Sequence, residues 1–446
     1  MKRVSKLMRW AWGVGLGAMV FACGPVQDPA TDEEARGVPE VVRQVEAAHS
    51  QDMPLPEARP LGRRRPAVAY GGGKYLVAWQ DVREGGVYAT RVKPDGTILD
   101  PEGIRLNIDP AVGAGQPAIA YDGRNFIVVW TWIDGVAGVR VKTDGTVLGP
   151  VFEVSDSGEA SGTAAIACSQ KLCLVVFQIS GDVEDVYVVR LETDGTVLDP
   201  ELALSNTDNM ASEASVAWDG KEFLVVWSDT LGGGGTRDIR GARVHPDGTF
   251  LDGTGGFLIA AAPGEQRTPD VVWTGRRFLV VWSDGRSGER DILGARVRSD
   301  GRVDDAGGFP ISTAPGDQLF PAVAHHNSKS LVVWEDLRSG SHRIWGARVT
   351  ESATVTDASG FAISSGDFPA EFFPEVAYGG DRFLAVYAGG SEENASEQGR
   401  RFTPHFVLGA RVKHDTSVLD RPALILTRST EAPPPTLQAP PPEGSR

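Results

Sequence analysis

Apolar runs that end in an aromatic residue recur along the chain at nearly regular intervals. The aromatic residues are Trp79, Trp130, Phe177, Trp227, Trp282, Trp334 and Tyr387, and the successive spacings are 51, 47, 50, 55, 52 and 53 residues. A second series, an arginine in a Gly-Ala-Arg-Val-like segment, comprises Arg91, Arg140, Arg190, Arg243, Arg296, Arg348 and Arg411. Two series that stay in register through seven copies indicate one repeat.

Each copy of this repeat predicts four short β-strands. The first has the pattern Pro-x-Val-Ala, as at 117–121, and the second is a continuous apolar run, as at 278–282. A run without polar alternation is typical of a strand that is buried on both faces. The third strand carries the Gly-Ala-Arg-Val pattern and ends in an Asp-Gly turn. The fourth begins at a Thr-Val-Leu-Asp pattern, and the apolar patch that follows either extends it or forms a separate strand.

The length of the repeat favours one architecture. A four-stranded sheet of about 50 residues cannot bury two apolar faces alone, so neighbouring copies must stack on both sides of it. Immunoglobulin-like domains need about 100 residues and solenoid coils are much shorter, whereas propeller blades have about 50. We therefore predict an all-β fold, a seven-bladed β-propeller over residues 65–428. Because all copies are complete, we expect the ring to close by packing of the first blade against the seventh, without a shared strand.

The repeat itself carries a resemblance. Its Val-Val-Trp and Gly-Ala-Arg-Val segments, as at 225–227 and 294–297, resemble the propeller-type repeats of uncharacterised bacterial secreted proteins and lipoproteins. The resemblance covers residues 66–427. It implies a fold and an exported location, and no activity.

The N-terminus predicts export and a lipid anchor. Residues 1–9 are basic and residues 10–22 form an apolar stretch that is too short to span a bilayer, which is typical of a signal peptide. The run Val-Phe-Ala-Cys at 20–23 resembles the lipobox of bacterial lipoproteins, which implies that Cys23 is acylated and becomes the first mature residue. Acylation with more than one chain anchors stably. A signal peptide without lipidation is the alternative.

The segments outside the repeat lack hydrophobic periodicity. Residues 1–22 are expected to be the signal peptide, 23–64 a flexible tether and 429–446 a disordered proline-rich tail. Gly24, in place of aspartate, fits sorting to the outer membrane. We therefore predict an outer-membrane lipoprotein of the cell envelope whose membrane contact is the lipid.

The net charge and the cysteine content limit the kinds of partner and cofactor that this protein is expected to bind. The formal net charge of −15 argues against a nucleic-acid partner, and we expect a monomer. Cys168 and Cys173 flank one turn, so a local disulfide is possible in an oxidising compartment. The cysteines and the seven histidines show no metal-ligand spacing, and we predict no metal or cofactor.

Several second strands run into a Trp-x-Asp-x-Arg pattern, on the face where the blades are linked. The candidate binding residues are Asp81, Arg83, Asp229, Asp284, Arg286, Asp336 and Arg338. A ring of such groups could hold a sugar, a carboxylate or a cation. The alternative is structural, because aspartate caps turns and an arginine two residues later can pair with it. The arginine of Gly-Ala-Arg-Val is expected to stack on the tryptophans or to pair with a carboxylate between blades.

No catalytic motif breaks the repeat. The main departures are the pair at 325–326, both histidines, and a long segment at 388–407, which we interpret as an inserted loop between the second and third strands. We therefore predict a non-enzymatic binding or scaffold protein with an unknown protein or glycan ligand. Two alternatives stay open. One is a carbohydrate-active propeller enzyme with carboxylate pairs on the loop face, and the other is an envelope-assembly factor.

Overall fold

A computed structural model describes residues 65–427, except 82–84, 108–114, 133, 157–159, 180–183, 206–209, 231–235 and 396–398. At residues 161, 163 and 392–405 it describes the backbone only. The predicted signal peptide, the tether with Cys23, the tail and the candidate residue Arg83 lie outside the described residues. Within them, no helix is long and apolar enough to cross a bilayer.

The described chain forms seven antiparallel four-stranded sheets, which confirms the predicted seven-bladed β-propeller. The first blade has strands β1 Ala67–Gly71, β2 Lys74–Asp81, β3 Gly86–Val92 and β4 Ile104–Arg105. The second has β5 Pro117–Tyr121, β6 Asn125–Trp132, β7 Gly135–Lys142 and β8 Val147–Ser155. The third has β9 Ala160–Cys168, β10 Leu172–Ile179, β11 Asp185–Glu192 and β12 Leu202–Ala203. The fourth has β13 Ala211–Trp218, β14 Phe223–Thr230, β15 Arg237–Val244 and β16 Phe257–Ala260.

The remaining three blades repeat this plan. The fifth has β17 Gln266–Trp273, β18 Phe278–Asp284, β19 Asp291–Val297 and β20 Phe309–Ser312. The sixth has β21 Gln318–His326, β22 Lys329–Asp336, β23 Arg343–Thr350 and β24 Phe361–Ala362. The seventh has β25 Ala370–Gly379, β26 Arg382–Ala395, β27 Gly399–Val412 and β28 Leu424–Ile425.

The strand order places the first strand of each blade innermost, where it lines a central channel. Prolines such as Pro117 and Pro269 are tolerated there because an edge strand loses no ladder hydrogen bond to them. The second strand is buried on both faces, as predicted. Every residue of Phe278–Asp284 is buried. Its side chains pack in clusters shared by adjacent blades, so each blade depends on its neighbours.

The fourth strand settles the alternative left open by the sequence. The Thr-Val-Leu-Asp-like segment makes only a single bridge to the third strand in six blades, as between Val297 and Val303. The apolar patch after it forms the separate fourth strand, as in Phe309–Ser312. The second blade is the exception, because Val147–Ser155 runs through both segments as one strand.

The repeated arginine of the third strand joins neighbouring blades. Arg296 donates Nε and Nη2 to Asp305, nine residues later, at 2.7 and 2.9 Å, and donates Nη1 to the carbonyl of Glu351 in the next blade at 3.1 Å. The same ion pair recurs as Arg91–Asp100, Arg190–Asp199, Arg243–Asp252, Arg348–Asp357 and Arg411–Asp420. The expectation of a carboxylate in a neighbouring blade was wrong, since the aspartate belongs to the same blade and the inter-blade partner is a backbone carbonyl.

The ring closes without a shared strand, which confirms the predicted mode of closure. Trp79 of the first blade packs in one cluster with Leu384 of the seventh. Tyr75 donates its hydroxyl to the carbonyl of Gly379 at 2.6 Å, which ties β2 to the end of β25. Since each sheet is complete in itself, the junction between the ends is built like every other blade contact.

Two further features concern single hairpins. Residues 388–407 are not the loop predicted from the sequence. Strands β26 and β27 continue through this segment as paired strands, with Ser391 opposite Thr403. These two strand segments contain few apolar residues and so lack hydrophobic periodicity. For that reason the sequence was interpreted as an inserted loop. In the third blade, Cys168 and Cys173 face each other across the β9–β10 turn and form a disulfide.

Candidate functional site

The aspartates of the Trp-x-Asp-x-Arg pattern lie inside their own blades. Asp336 has no exposed surface and accepts four hydrogen bonds. The donors are Trp334 Nε1 at 2.8 Å, Arg338 N at 2.9 Å, Arg338 Nε at 2.8 Å and Arg338 Nη2 at 2.7 Å. The Arg338 guanidinium also covers the ring of Trp345 at 3.8 Å. This pattern therefore secures the end of the second strand.

The other candidates follow the same plan with fewer partners. Asp284 is buried and is bound by Trp282 and by a bidentate Arg286. Asp229 accepts from Trp227 Nε1 at 3.1 Å but has no arginine two residues later, and its burial raises its pKa. Asp81 is buried at the end of β2. The structure pairs Asp284 with Arg286 and Asp336 with Arg338 within single blades, and none of the described candidates lines the cavity described next.

A cavity opens on the face that carries the turns between second and third strands. It comprises an outer part of about 400 Å³, here called the mouth, and a central channel of about 310 Å³ below it. Arg65, Glu213, Thr268 and Phe320 line both parts, so the two are continuous. Such volumes are in the range of small-molecule sites.

Two residues that directly follow the aromatic residue of a second strand, one after Phe177 and one after Trp282, lie on the wall of the mouth, because strand alternation points them away from the buried aromatic side chain. Gln178 Oε1 accepts the backbone N–H of Glu213 in the next blade at 2.9 Å, and Ser283 Oγ donates to the carbonyl of Gln318 at 2.8 Å. Both Gln178 and Ser283 line the mouth. The second strands that carry the pattern lead to the face with the cavity, but the residues that line the cavity are variable ones outside the predicted set.

The second residue of the Pro-x-Val-Ala pattern lines the channel and breaks the seven-fold repeat. It is small in four blades, as Ala67, Ala118, Ala165 and Ala322, of which Ala322 is buried and does not line the channel. In the fourth, fifth and seventh blades it is Ser215, Asp270 and Glu375. Sequence reasoning missed these residues, although aligning this one column of the repeat would have revealed them.

The two channel carboxylates are held in a poorly solvated place. Asp270 accepts Ser215 Oγ at 2.7 Å and the backbone N–H of Val323 at 2.8 Å. Burial raises the pKa of Asp270, despite these hydrogen bonds. Burial and the nearby charge of Asp270 raise the pKa of Glu375 to about 8, against the opposing effect of Arg65. At neutral pH the channel therefore favours a protonated Glu375.

Charged side chains dominate the mouth on the side of the third to fifth blades. Glu213 accepts Arg267 Nη2 at 3.0 Å, Ser228 Oγ at 2.9 Å and the Thr268 N–H at 2.9 Å. Burial opposes the ionised form of Glu213, but Arg267 and the Thr268 N–H outweigh it and lower its pKa. Arg237 donates to Ser212. Glu213 is thus an ionised anchor for the wall.

Among the donors of the mouth, Arg267 Nε and Thr268 Oγ1 are buried and have no hydrogen-bond partner among the described residues. Thr268 stands at a positive φ of 51°, at an irregularity between β17 and β18. Buried polar groups are normally paired, and unpaired ones are found where a ligand or water completes them. Across the described part of the chain, no three His, Cys, Asp or Glu side chains are grouped closely enough to hold a metal.

No protein-family model matches this sequence, and no curated protein matches it. Solved structures show only a distant similarity to this chain. A protein described as TolB from Agrobacterium tumefaciens is 16% identical with a TM-score of 0.36, and covers 59% of this chain and 87% of its own. A PL25 ulvan lyase is 10% identical with a TM-score of 0.49, covering 77% and 92%. Pyrococcus horikoshii acylaminoacyl peptidase is 13% identical with a TM-score of 0.44, covering 82% and 53%. At such values these likenesses carry no inference about the function of this chain.

Proposed function

We propose that this protein is a non-enzymatic ligand-binding propeller of the cell envelope, attached to the outer membrane through an acylated Cys23. Its ligand binds in the mouth. The observation that carries the proposal is the broken symmetry of this cavity. Groups that recur in every blade serve the fold, whereas the polar residues of the mouth differ from blade to blade.

The chemistry of the wall supports binding. Asp284 and Asp336 are occupied by their own tryptophans and arginines, and so have no capacity for a ligand. The mouth, in contrast, combines accessible volume with the unpaired donors Arg267 Nε and Thr268 Oγ1. A bound acceptor would complete both groups.

The test uses the full chain in detergent, screened on arrays of envelope glycans and peptides. We expect at least one class to bind the wild type and to bind the Arg237→Gln variant at least tenfold more weakly. Arg276→Gln is the matched control, since Arg276 is 74% exposed and does not line the mouth. Binding that is equally sensitive to both variants, or absent throughout, would refute the proposed site.

A second candidate is a carbohydrate-active enzyme, which the channel carboxylates Asp270 and Glu375 favour. Glycoside hydrolysis commonly uses two carboxyl groups, one of them protonated as a general acid with a raised pKa. The full chain would be assayed for new reducing ends on a polysaccharide panel. Turnover that Glu375→Gln abolishes would establish this candidate and displace the first, and binding without turnover would exclude it.

A further inference from the structure

We propose that the mouth binds a ligand that carries a carboxylate together with hydroxyl groups, as an acidic sugar does; this rests on the function proposed above. The charge of the wall indicates an anion. Its charged residues are the cations Arg65, Arg237, Arg267 and Arg290 and the anions Glu184 and Glu213. Four positive and two negative lining groups give a formal +2, which Glu265 beside Arg267 and Arg290 reduces to +1, in a chain of −15. A concave wall of this sign attracts anions.

Glu265 indicates where the carboxylate binds. Its Oε2 lies 3.7 Å from Arg267 Nη1 and 3.3 Å from Arg290 Nη2, so the two guanidinium groups are spaced to share one carboxylate. The Glu265 side chain is 42% exposed, and those of Arg267 and Arg290 are 32% and 36% exposed. Because exposed ion pairs are weak, a ligand carboxylate can replace that of Glu265. Guanidinium groups are well suited to this exchange, since they bind carboxylates through paired hydrogen bonds.

The rest of the wall suits hydroxyl groups. Besides the charged residues it presents the amides and hydroxyls Gln116, Gln178, Ser212, Thr268 and Ser283. Thr268 Oγ1 is the buried hydroxyl without a partner described above. Larger apolar side chains are confined to Met210, Leu319 and Phe320, so the mouth offers few pockets for the apolar side chains of a peptide. A hydroxylated acid therefore fits the wall better than an acidic peptide does.

Calorimetry with the full chain in detergent tests this assignment. The probes are galacturonic acid and its dimer and trimer, with galactose and its neutral oligomers as matched controls and an acidic peptide for comparison. We expect the uronates to bind and the neutral sugars to bind at least tenfold more weakly. Arg290→Gln should weaken uronate binding about tenfold, which corresponds to about 1.4 kcal/mol. Glu265→Gln should strengthen it about threefold or more by removing the competing carboxylate, and Arg276→Gln should leave it unchanged.

The outcomes separate this inference from the proposed function. Neutral sugars that bind as tightly as the uronates, at a site sensitive to Arg237→Gln, would overturn the ligand class and leave the binding function intact. Binding of the acidic peptide alone would also overturn it. If no probe or array component binds the mouth, the proposed function itself fails. Equal affinity for monomer and trimer would identify a single acidic sugar, and rising affinity would identify a glycan chain, both within the inferred chemistry.

Discussion

At the scale of the residue, the buried carboxylates of this protein fall into two groups that differ in their partners. Asp336 accepts four hydrogen bonds from its own blade, so its charge is fully compensated. Glu371 is equally buried, but neither carboxylate oxygen has a hydrogen-bond partner among the described residues, and the nearest ion-pair contact is Arg343 Nη1 at 3.7 Å. The first group should stabilise the fold and the second should weaken it.

Replacing Asp336 with alanine should therefore be costly. The change leaves the Trp334 indole and the Arg338 guanidinium without their acceptor, and we expect the free energy of unfolding to fall by about 2–4 kcal/mol. Urea unfolding of the full chain measures this loss. Asp300→Ala is the control, because Asp300 is an exposed turn residue and its loss should cost less than about 1 kcal/mol. Equal effects at the two positions would contradict a structural role for the pattern.

Replacing Glu371 with glutamine should instead stabilise the protein. Gln266 and Gln318 occupy the equivalent position in the fifth and sixth blades, where Gln266 Nε2 donates to Gly264 O at 3.0 Å and Gln318 Nε2 to Ala314 O at 2.8 Å. Burial raises the pKa of Glu371 from 4.5 to about 7, outweighing the opposing effects of the Ser364 hydroxyl, the Arg343 guanidinium and the Gly366 N–H. The folded state thus disfavours the charged form of Glu371. Its contribution to the free energy of unfolding is therefore lost as the pH rises from about 4.5 to 7.

The gain from Glu371→Gln should follow the same pH window. We expect about 1–3 kcal/mol of added stability above pH 7 and a much smaller gain near pH 4.5, since Glu371 is then neutral in the folded state and only about half ionised in the unfolded state. Unfolding midpoints of the two proteins between pH 4 and 8 measure this difference. A gain that is constant with pH would mean that burial of the charge is not the cause.

The roles of single residues could be predicted from the sequence only in part. The Trp-x-Asp-x-Arg pattern suggested the structural role that Asp284 and Asp336 have as the alternative to a binding role. It could not show that Gln178 and Ser283 line the mouth, since this depends on the register of each blade against the next. The orphaned donors Arg267 Nε and Thr268 Oγ1 depend on local backbone geometry that no pattern encodes.

At the scale of the element, the third strands bind the blades into a ring. In six blades an aspartate holds the repeated arginine so that Nη1 reaches a carbonyl of the adjacent blade. The second blade lacks this aspartate, because Gly149 stands at its position. Among the described residues Arg140 makes no ion pair. The second blade is thus the one in which the repeated arginine has no aspartate nine residues later to pair with.

The two kinds of blade allow a matched comparison. We expect Arg296→Gln to lower the free energy of unfolding by about 1–2 kcal/mol more than Arg140→Gln, because it breaks a bidentate pair and an inter-blade bond. The change also leaves Asp305 without its partner. Arg296 lowers the pKa of Asp305, so this extra loss should shrink at low pH, where that carboxylate is protonated in both proteins. Equal losses in the two variants at neutral pH would show that the pair contributes nothing.

Elements were predicted well where hydrophobic periodicity was strong. The first and second strands were located closely, and 117–121 was predicted to the residue. The fourth strand was ambiguous because two to four residues carry too little pattern. Residues 388–407 were misread because few residues between Gly389 and Phe406 are apolar, and a polar sequence alone does not distinguish a strand from a loop.

At the scale of the whole molecule, the architecture and the number of blades followed from repeat length and count alone. The channel and its mouth did not, since a cavity is formed jointly by all the blades and no single copy contains it. Exported location and lipid attachment stay predictions that the first 23 residues carry.

Replacing Cys23 with serine tests the anchor. Acylation requires the thiol, so we expect Cys23→Ser to abolish labelling by radioactive palmitate and to move the chain from the membrane fraction to the soluble fraction. The double variant Cys168→Ser, Cys173→Ser is the control, because these cysteines form a disulfide within the third blade and should not affect labelling. Persistent membrane attachment of the Cys23 variant would contradict lipid anchoring.

Because the ring closes without a shared strand, the fold does not depend on which blade comes first along the chain. Every sheet is complete, and the contact between the first and seventh blades has the same kind of packing as the others. A circularly permuted gene that joined residue 427 to residue 65 and opened at another link between blades would encode the same seven sheets. The first blade therefore differs from the others only in its position along the chain. A duplicated copy of any one blade could in the same way have been inserted between any two neighbouring blades.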